Sequence, residues 1–292
     1  MTPRAHVTGG SGFLGGFVIP HLLEQGYAVT ALARSDAAGA LVEALGATPL
    51  KGDLDSGDSL RSAFEAAAPS VLVNLASLGF GHAPTIVQAA EAAGLRRAVF
   101  VSTTAIFTKL NAPSKEARIA AECTIQGSDL DWAIVRPTMI YGTPDDRNMW
   151  RLLRLVRRVP LVPMPGGGRT LQQPIHVADL AQAVVATLQT DVAVGKAYDV
   201  AGPEALTFRQ IVSRAGAAVG RSPKALPLPA RPIIRALARL EATGRSIPLK
   251  AEQVERLIED KAFDISEAVA DLGFSPRSFD EGIRAEAQMS EP

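Results

Sequence analysis

Residues 7–18 read VTGGSGFLGGFV, and this string constrains the fold more than any other part of the chain. A short apolar run from Ala5 to Thr8 meets a glycine cluster and then an apolar helical pattern. Gly9, Gly12 and Gly15 recur at a spacing of three residues. In a strand–turn–helix unit the first such glycine permits the tight turn. The second lets backbone approach a pyrophosphate, and the third lets the helix pack close on the strand. The anion then sits at the positive end of the helix. With a strand before it and a helix after it, the spacing points to a bound dinucleotide.

The rest of the composition narrows the class. A chain of 292 residues with 47% hydrophobic content can bury a large core. That length suits one large domain, or a domain plus a small lobe. The formal charge is zero, which favours neither nucleic acid nor an anionic membrane as partner. The single Cys123 excludes a disulfide framework within the chain. His6, His21, His82 and His176 do not pair at metal-ligand spacing with each other or with Cys123, so no metal site is expected. There is no long apolar run and no secretory leader pattern, so the expected location is the cytoplasm, without a membrane span.

The first half alternates. Apolar segments near 5–8, 28–33, 47–51, 71–75, 97–102 and 132–136 read as strands. Helical stretches fall near 13–25, 56–68, 84–94 and 114–126. This rhythm predicts a doubly wound parallel α/β sheet with right-handed crossovers. After Tyr141 it breaks. Residues 148–158 form a basic amphipathic helix, 160–174 a turn-rich loop, 174–188 a strand and helix, and 197–201 a short strand. From 206 onward the chain is helical with prolines at 223–232. The expected organisation is a Rossmann domain over 1–142, rejoined by 174–201. A small, mostly helical substrate lobe covers 143–173 and 202–292.

Strand two ends in Ala31–Ser35, with Ala33 and Arg34 where NAD binders place an acidic residue. An arginine pairs with a 2′-phosphate that a carboxylate would repel. NADP(H) is therefore expected over NAD(H), with Arg34 and Ser35 beside the ribose. Asp53 and Leu54 close strand three, where the aspartate either accepts from the adenine amino group or caps the next helix. Leu75, Ala76 and Ser77 end strand four along the cofactor.

These pieces together resemble the extended short-chain dehydrogenase/reductase superfamily, the NAD-dependent epimerase/dehydratase family. TGGSGFLG, GDL at 52–54, NLA at 74–76, FVSTTAIF at 100–107, VRPTMIYG at 135–142, IHVADLAQAV at 175–184 and LGFSPRSFDEGI at 272–283 match its motifs in order. By this resemblance Gly9, Gly12, Phe13, Leu14 and Gly15 line the phosphates. Pro137 lies near the nicotinamide, Ser102 faces cofactor or helix, and Thr104 either takes the catalytic serine/threonine place or is a strand-end hydroxyl satisfying local backbone. The family's Tyr-x-x-x-Lys pair is absent. Ser114 stands for the tyrosine and Arg118 for the lysine, with x-A-A-E following as Ile119–Glu122. A serine hydroxyl does not donate protons near neutral pH, and an arginine does not shuttle them. Lys115 has Asn111 four residues before it, so a shifted register restores nothing. The chain thus resembles the atypical members. These include isoflavone-type and vinyl reductases, a nucleotide-binding subunit of respiratory complex I, and redox sensors.

Other candidates accompany that pair. His82, after two glycines, is a potential proton donor or a helix entry. Tyr141 could present a phenol or pack. Arg136 reads as a buried ion-pair member, and His176 and Asp179 as structural. Arg169 in a glycine loop, with Arg147, Arg151 and Arg154, could meet an anionic substrate or simply be solvated. The expected function is an NADP(H)-dependent oxidoreductase or isomerase acting on a small carbonyl or activated-alkene substrate, held between sheet and lobe. A non-catalytic NAD(P)H-binding protein and a sugar-nucleotide epimerase or dehydratase are the alternatives. A homodimer is frequent in the superfamily.

Overall fold

The computed structural model describes residues 2–110, 114–146, 148–242 and 251–289. Asn111 and Arg147 lie outside the described residues. The chain divides into two compact units. The first comprises Met1–Thr138, Val177–Val200 and Asp264–Ser275, and the second Met139–His176, Ala201–Phe263 and Pro276–Pro292.

The first unit holds a seven-stranded sheet. Its strands are β1 (Arg4–Thr8), β2 (Ala28–Ala33), β3 (Thr48–Lys51), β4 (Val71–Asn74), β5 (Arg97–Val101), β6 (Asp131–Pro137) and β11 (Lys196–Val200). They are ordered β11-β6-β5-β4-β1-β2-β3, and every pairing is parallel. This is a doubly wound Rossmann-type sheet. Strand order reverses between β1 and β4, so the ligand crevice opens beyond their carboxyl ends.

The helices of this unit are α1 (Gly15–Glu24), α2 (Asp36–Ala44), α3 (Gly57–Ala67), α4 (Ala83–Ala92), α5 (Lys115–Gln126), α7 (Val177–Gln189) and α11 (Ser266–Leu272). Helix α3 shows why they form. The Ser56 hydroxyl caps it by accepting from the Ser59 amide. Leu60, Ala63, Phe64 and Ala67 recur at helical spacing and are buried. It ends at Ala68, a non-glycine residue at φ 38°. Phe64, Leu72, Ile86, Phe100, Ile125 and Ile134 join β4–β6 to α3–α5 in one core. Elsewhere α1 and α7 pack together and against β1, β5 and β6.

Several features differ from the sequence reading: strands form at Leu161–Pro165 and Lys224–Leu228 where loop and helix were expected, and 139–142 and 174–176 fall in the second unit. Helix α2 is unanticipated, because its nine residues bury only Val42 and so carry no apolar stripe. Residues 264–275, expected in the small lobe, join the sheet unit. There Asp271 on α11 accepts from Lys196 Nζ at 2.6 Å and the Tyr198 hydroxyl at 2.8 Å, both on β11.

The second unit contains α6 (Met149–Arg158), α8 (Phe208–Ala218), α9 (Ala230–Ala242), α10 (Ala251–Leu257) and α12 (Phe279–Ala287). It also has three two-stranded pairs. These are β7 (Ile140–Tyr141) with β10 (Ile175–His176), β9 (Leu171–Gln172) with β12 (Leu206–Thr207), and β8 (Leu161–Pro165) with β13 (Lys224–Leu228). Its core gathers Tyr141, Trp150, Leu153, Val162, Ile211 and Phe279. No described helix is long and apolar enough to cross a membrane.

Candidate functional site

The glycine turn after β1 is built without room for side chains. Gly9 has φ +74°, and a Cβ there would stand 2.8 Å from the Ala76 amide nitrogen. The first turn thus presses directly on the segment after β4, bringing Gly9 to Leu75 and Ala76. A Cβ at Gly15 would lie 2.0 Å from the Gly10 carbonyl oxygen, so only glycine lets α1 start this close to the strand. Gly12 closes the turn by donating to the Gly9 carbonyl at 3.1 Å. The Leu14 position before α1 carries no side-chain cap. The helix start is therefore free of a competing side-chain acceptor and fits a pyrophosphate. Phe13 flanks it, edge-on to Phe17 at 6.1 Å.

Asn74 fixes the crevice floor. It is fully buried, accepts from the Thr8 hydroxyl at 2.6 Å and donates to the Ala76 carbonyl at 3.1 Å. The ends of β1 and β4 are thereby locked side by side.

At the adenosine side, Arg34 follows β2 and is exposed. Ser35 is the α2 cap, accepting from the Ala38 amide at 3.3 Å. Asp53 does not cap a helix. Its Oδ1 accepts from the Asp55 amide at 3.1 Å, and Ser56 caps α3. Leu54 is half-buried against the core. Ser77 caps the short 3-10 turn Leu78–Phe80 through the Gly79 amide.

Ser114 and Arg118 come together on one face of α5. A Cβ at Gly79 would lie 3.2 Å from both Arg118 Nε and Ser114 Cβ, so glycine lets this helix settle on the turn after β4. The arginine thus stands at the carboxyl ends of β4 and β5. The turn that Arg118 packs on also carries the exposed Phe80, at 77%, and the same unit exposes Phe107 at 48% and Ile119 at 41%.

The other proton-transfer candidates are held otherwise. Thr104 is buried and its hydroxyl donates to the Pro137 carbonyl at 3.2 Å, tying β5 to the end of β6. His82 pairs with Asp55 at 2.8 Å. Tyr141 is core in the second unit, 1% exposed, edge-on to His176 and tilted against Phe279. A Cβ at Gly282 would meet its hydroxyl at 2.2 Å. That contact explains the glycine of the C-terminal motif.

Sequence reasoning read Arg136 as a buried ion-pair member but missed its partner, Glu122. Ser102 donates to Glu122, and Arg136 clasps both oxygens of the same carboxylate. Burial opposes the Arg136 charge, but Glu122 and Asp199 outweigh it and hold the guanidinium above its ordinary value. Burial pushes the Asp199 carboxyl up, against the pull of Arg136. The Arg136 guanidinium also lies over the Phe107 ring at 5.3 Å. The A-A-E string was the available signal, since a glutamate on an inward helix face requires a cation.

The comparisons with known proteins agree with this geometry. A family model described as NAD(P)H-binding matches residues 9–191. A complex I subunit, NADH dehydrogenase [ubiquinone] 1 alpha subcomplex subunit 9 of Arabidopsis thaliana, is 27% identical over 91% of this chain and 71% of its own. The 4-hydroxy-2-methyl-3-oxo-4-farnesyl-3,4-dihydroquinoline-1-oxide ketoreductase of Stigmatella aurantiaca is 29% identical over 62% and 63%. The ceramide reductase of Caulobacter vibrioides is 28% identical over 81% and 77%. The NAD complex of Thermus thermophilus UDP-glucose 4-epimerase superposes with a TM-score of 0.74 at 21% identity, covering 97% of each chain. The chain belongs to the NAD(P)H-binding family, and its fold is that of the NAD-dependent epimerases and dehydratases of the extended short-chain dehydrogenase/reductase superfamily.

Proposed function

We propose that the chain is an NADPH-dependent reductase of a ketone carried on a lipophilic molecule. The carrying observation is the setting of Arg118: its Nε packs on Gly79, in the turn after β4 that also carries the exposed Phe80. An exposed aromatic ring on the turn that the cation packs against suits an apolar substrate with one polar atom. Relatives named as reductases of ceramide and of a farnesylated quinoline support this class.

The bound nucleotide supplies a hydride to the carbonyl carbon. Gly9, Gly12, Gly15 and the start of α1 hold its pyrophosphate, and Arg34 pairs with the 2′-phosphate. Arg118 stabilises the negative charge that develops on the carbonyl oxygen. Water supplies the proton, because serine and arginine at these places do not. Thr104 and the Glu122–Arg136 clasp keep the β5 and β6 ends in position.

A second reading has a specific observation behind it. The Thr104 hydroxyl is committed to a backbone carbonyl, and the complex I relative is named as a subunit. A chain that only binds NADPH would look the same at the phosphate turn. Single-turnover assays with NADPH and long-chain 3-oxo compounds separate the two. Oxidation of NADPH that Arg118→Gln slows by at least about tenfold, with nucleotide affinity retained, supports the reductase. Tight NADPH binding without oxidation across that panel supports the binding protein.

A further inference from the structure

Neutral overall charge conceals a strong asymmetry. Five arginines lie between 149 and 176 and seven cations between 205 and 240, and neither stretch contains Asp or Glu. All of this sequence belongs to the second unit.

Part of that charge is spent internally. Arg214 pairs with Glu204 and Asp280. Arg157 lies over Trp150 and donates to the Ala287 carbonyl. Arg209 donates to the Gly167 carbonyl, and further cations are exposed. On α6, Arg151, Arg154 and Arg158 are exposed while Leu152, Leu153 and Val156 are buried. On α9, Arg231, Arg235 and Arg239 recur every fourth residue on one exposed face, and this thirteen-residue helix buries no residue. The neighbouring α10 carries Glu252, which Arg256 pairs.

Leucines sit among these cations. Leu155 on α6 is 40% exposed, Leu161 on β8 50%, Leu226 on β13 43% and Leu240 on α9 43%. Register places Lys224 opposite Leu161 and Leu226 opposite Pro163, with Val162 and Met164 buried beneath. The outer face of this ribbon is thus leucine, proline and lysine.

We infer that the second unit docks on an anionic lipid surface through α6, the β8–β13 ribbon and α9. Arginines beside exposed leucines match phosphate headgroups above an acyl boundary. Nucleic acid is the other polyanion, but its sites interleave cations with exposed aromatic rings. Here the exposed apolar groups are leucines, and Trp150 is buried. A unit with this surface would keep the chain at the bilayer where a lipophilic ketone resides. The docking is independent of whether the chain turns over.

The test is flotation of the full chain with phosphatidylcholine vesicles, with and without phosphatidylglycerol. Expected is binding only to the anionic vesicles, weakened by added salt. The triple variant R231Q/R235Q/R239Q should lower partitioning roughly a hundredfold, at about fivefold per arginine. NADPH affinity, read by fluorescence, should not change in that variant, which also shows it is folded. The triple variant L161S/L226S/L240S, checked the same way, should weaken binding at every salt concentration. Equal binding to both vesicle types, no binding to either, or an unaffected arginine variant would overturn the inference. So would tighter binding to duplex DNA or RNA than to the anionic vesicles.

Discussion

Glu122 and Arg136 form a closed clasp: Arg136 Nε donates to both carboxylate oxygens at 3.1 Å, and Nη2 to one of them at 2.6 Å. Both side chains are withdrawn from solvent, at 5% and 16% exposure. The clasp joins α5 to β6, and through Ser102 to the end of β5. A residue from the family's helix motif is therefore held in an ion pair that ties three elements together.

Removing one partner strands the other. Glu122→Ala leaves a half-buried guanidinium beside Asp199 alone, at 3.7 Å. The expected loss is about 3 kcal/mol in urea-induced unfolding. A loss below about 1 kcal/mol would show that water or Asp199 replaces the carboxylate.

Gly15 and Gly16 are adjacent but unequal. A Cβ at Gly15 collides with the Gly10 carbonyl, whereas one at Gly16 meets nothing within 4 Å. Gly15→Ala should therefore cost at least about 2 kcal/mol by displacing backbone, and weaken NADPH binding with it. Gly16→Ala should leave stability equal or higher by about 0.5 kcal/mol. Thermal unfolding and fluorescence titration of both variants read the contrast. Equal effects would mean that the turn is looser than drawn.

Arg34 stands at the end of β2, exposed and beside the α2 cap. If it pairs with a 2′-phosphate, Arg34→Ala should weaken NADPH by about tenfold and leave NADH nearly unchanged, since a charge-assisted bond contributes roughly 1.5–3 kcal/mol. Parallel titrations decide it, and an equal loss for both nucleotides refutes the pairing.

Periodicity made the sheet legible. Buried parallel strands read as apolar runs, and amphipathic helices repeat at 3.6 residues, so β1–β6 and α3–α5 stand near their expected places. Helix α2 was not legible, because only Val42 faces inward. The glycine turn was legible because its chemistry is local. For Thr104, His82 and Tyr141 a backbone-bonded hydroxyl, a helix entry and a packed ring were among the readings, but their partners Pro137, Asp55 and Gly282 were not legible, because each lies far along the chain. The charge asymmetry was present in the sequence, but summing over the whole chain cancelled it.

His6 reports on acid stability. It is buried on β1, bonded to the Thr30 hydroxyl at 2.9 Å and edge-on to Phe64. Burial lowers its pKa to about 4. Between pH 6.5 and 4 the unfolded chain takes up a proton that the folded chain refuses. Stability should fall across that window, by up to about 3 kcal/mol. His6→Gln should flatten this part of the profile in urea unfolding, and an unchanged slope would assign the effect to other groups.

Glu286 gives the opposite dependence. It is fully buried on α12, and burial, with the charge and bond of Asp146 beside it, raises its carboxyl to about 9. Asp146 is itself fixed, accepting from the Asn148 and Met149 amides at the start of α6. Glu286 thus stays protonated in the folded chain at neutral pH. The unfolded chain ionises above pH 4.5, so folding becomes less favourable as pH climbs from there toward 9. Glu286→Gln keeps a donor of the same shape and removes the ionisation. The variant should match the parent near pH 4 and exceed it by about 2 kcal/mol or more at pH 8. Urea unfolding at the two pH values measures the difference. A variant that is weaker at both would mean that Glu286 folds as a carboxylate with a cation against it.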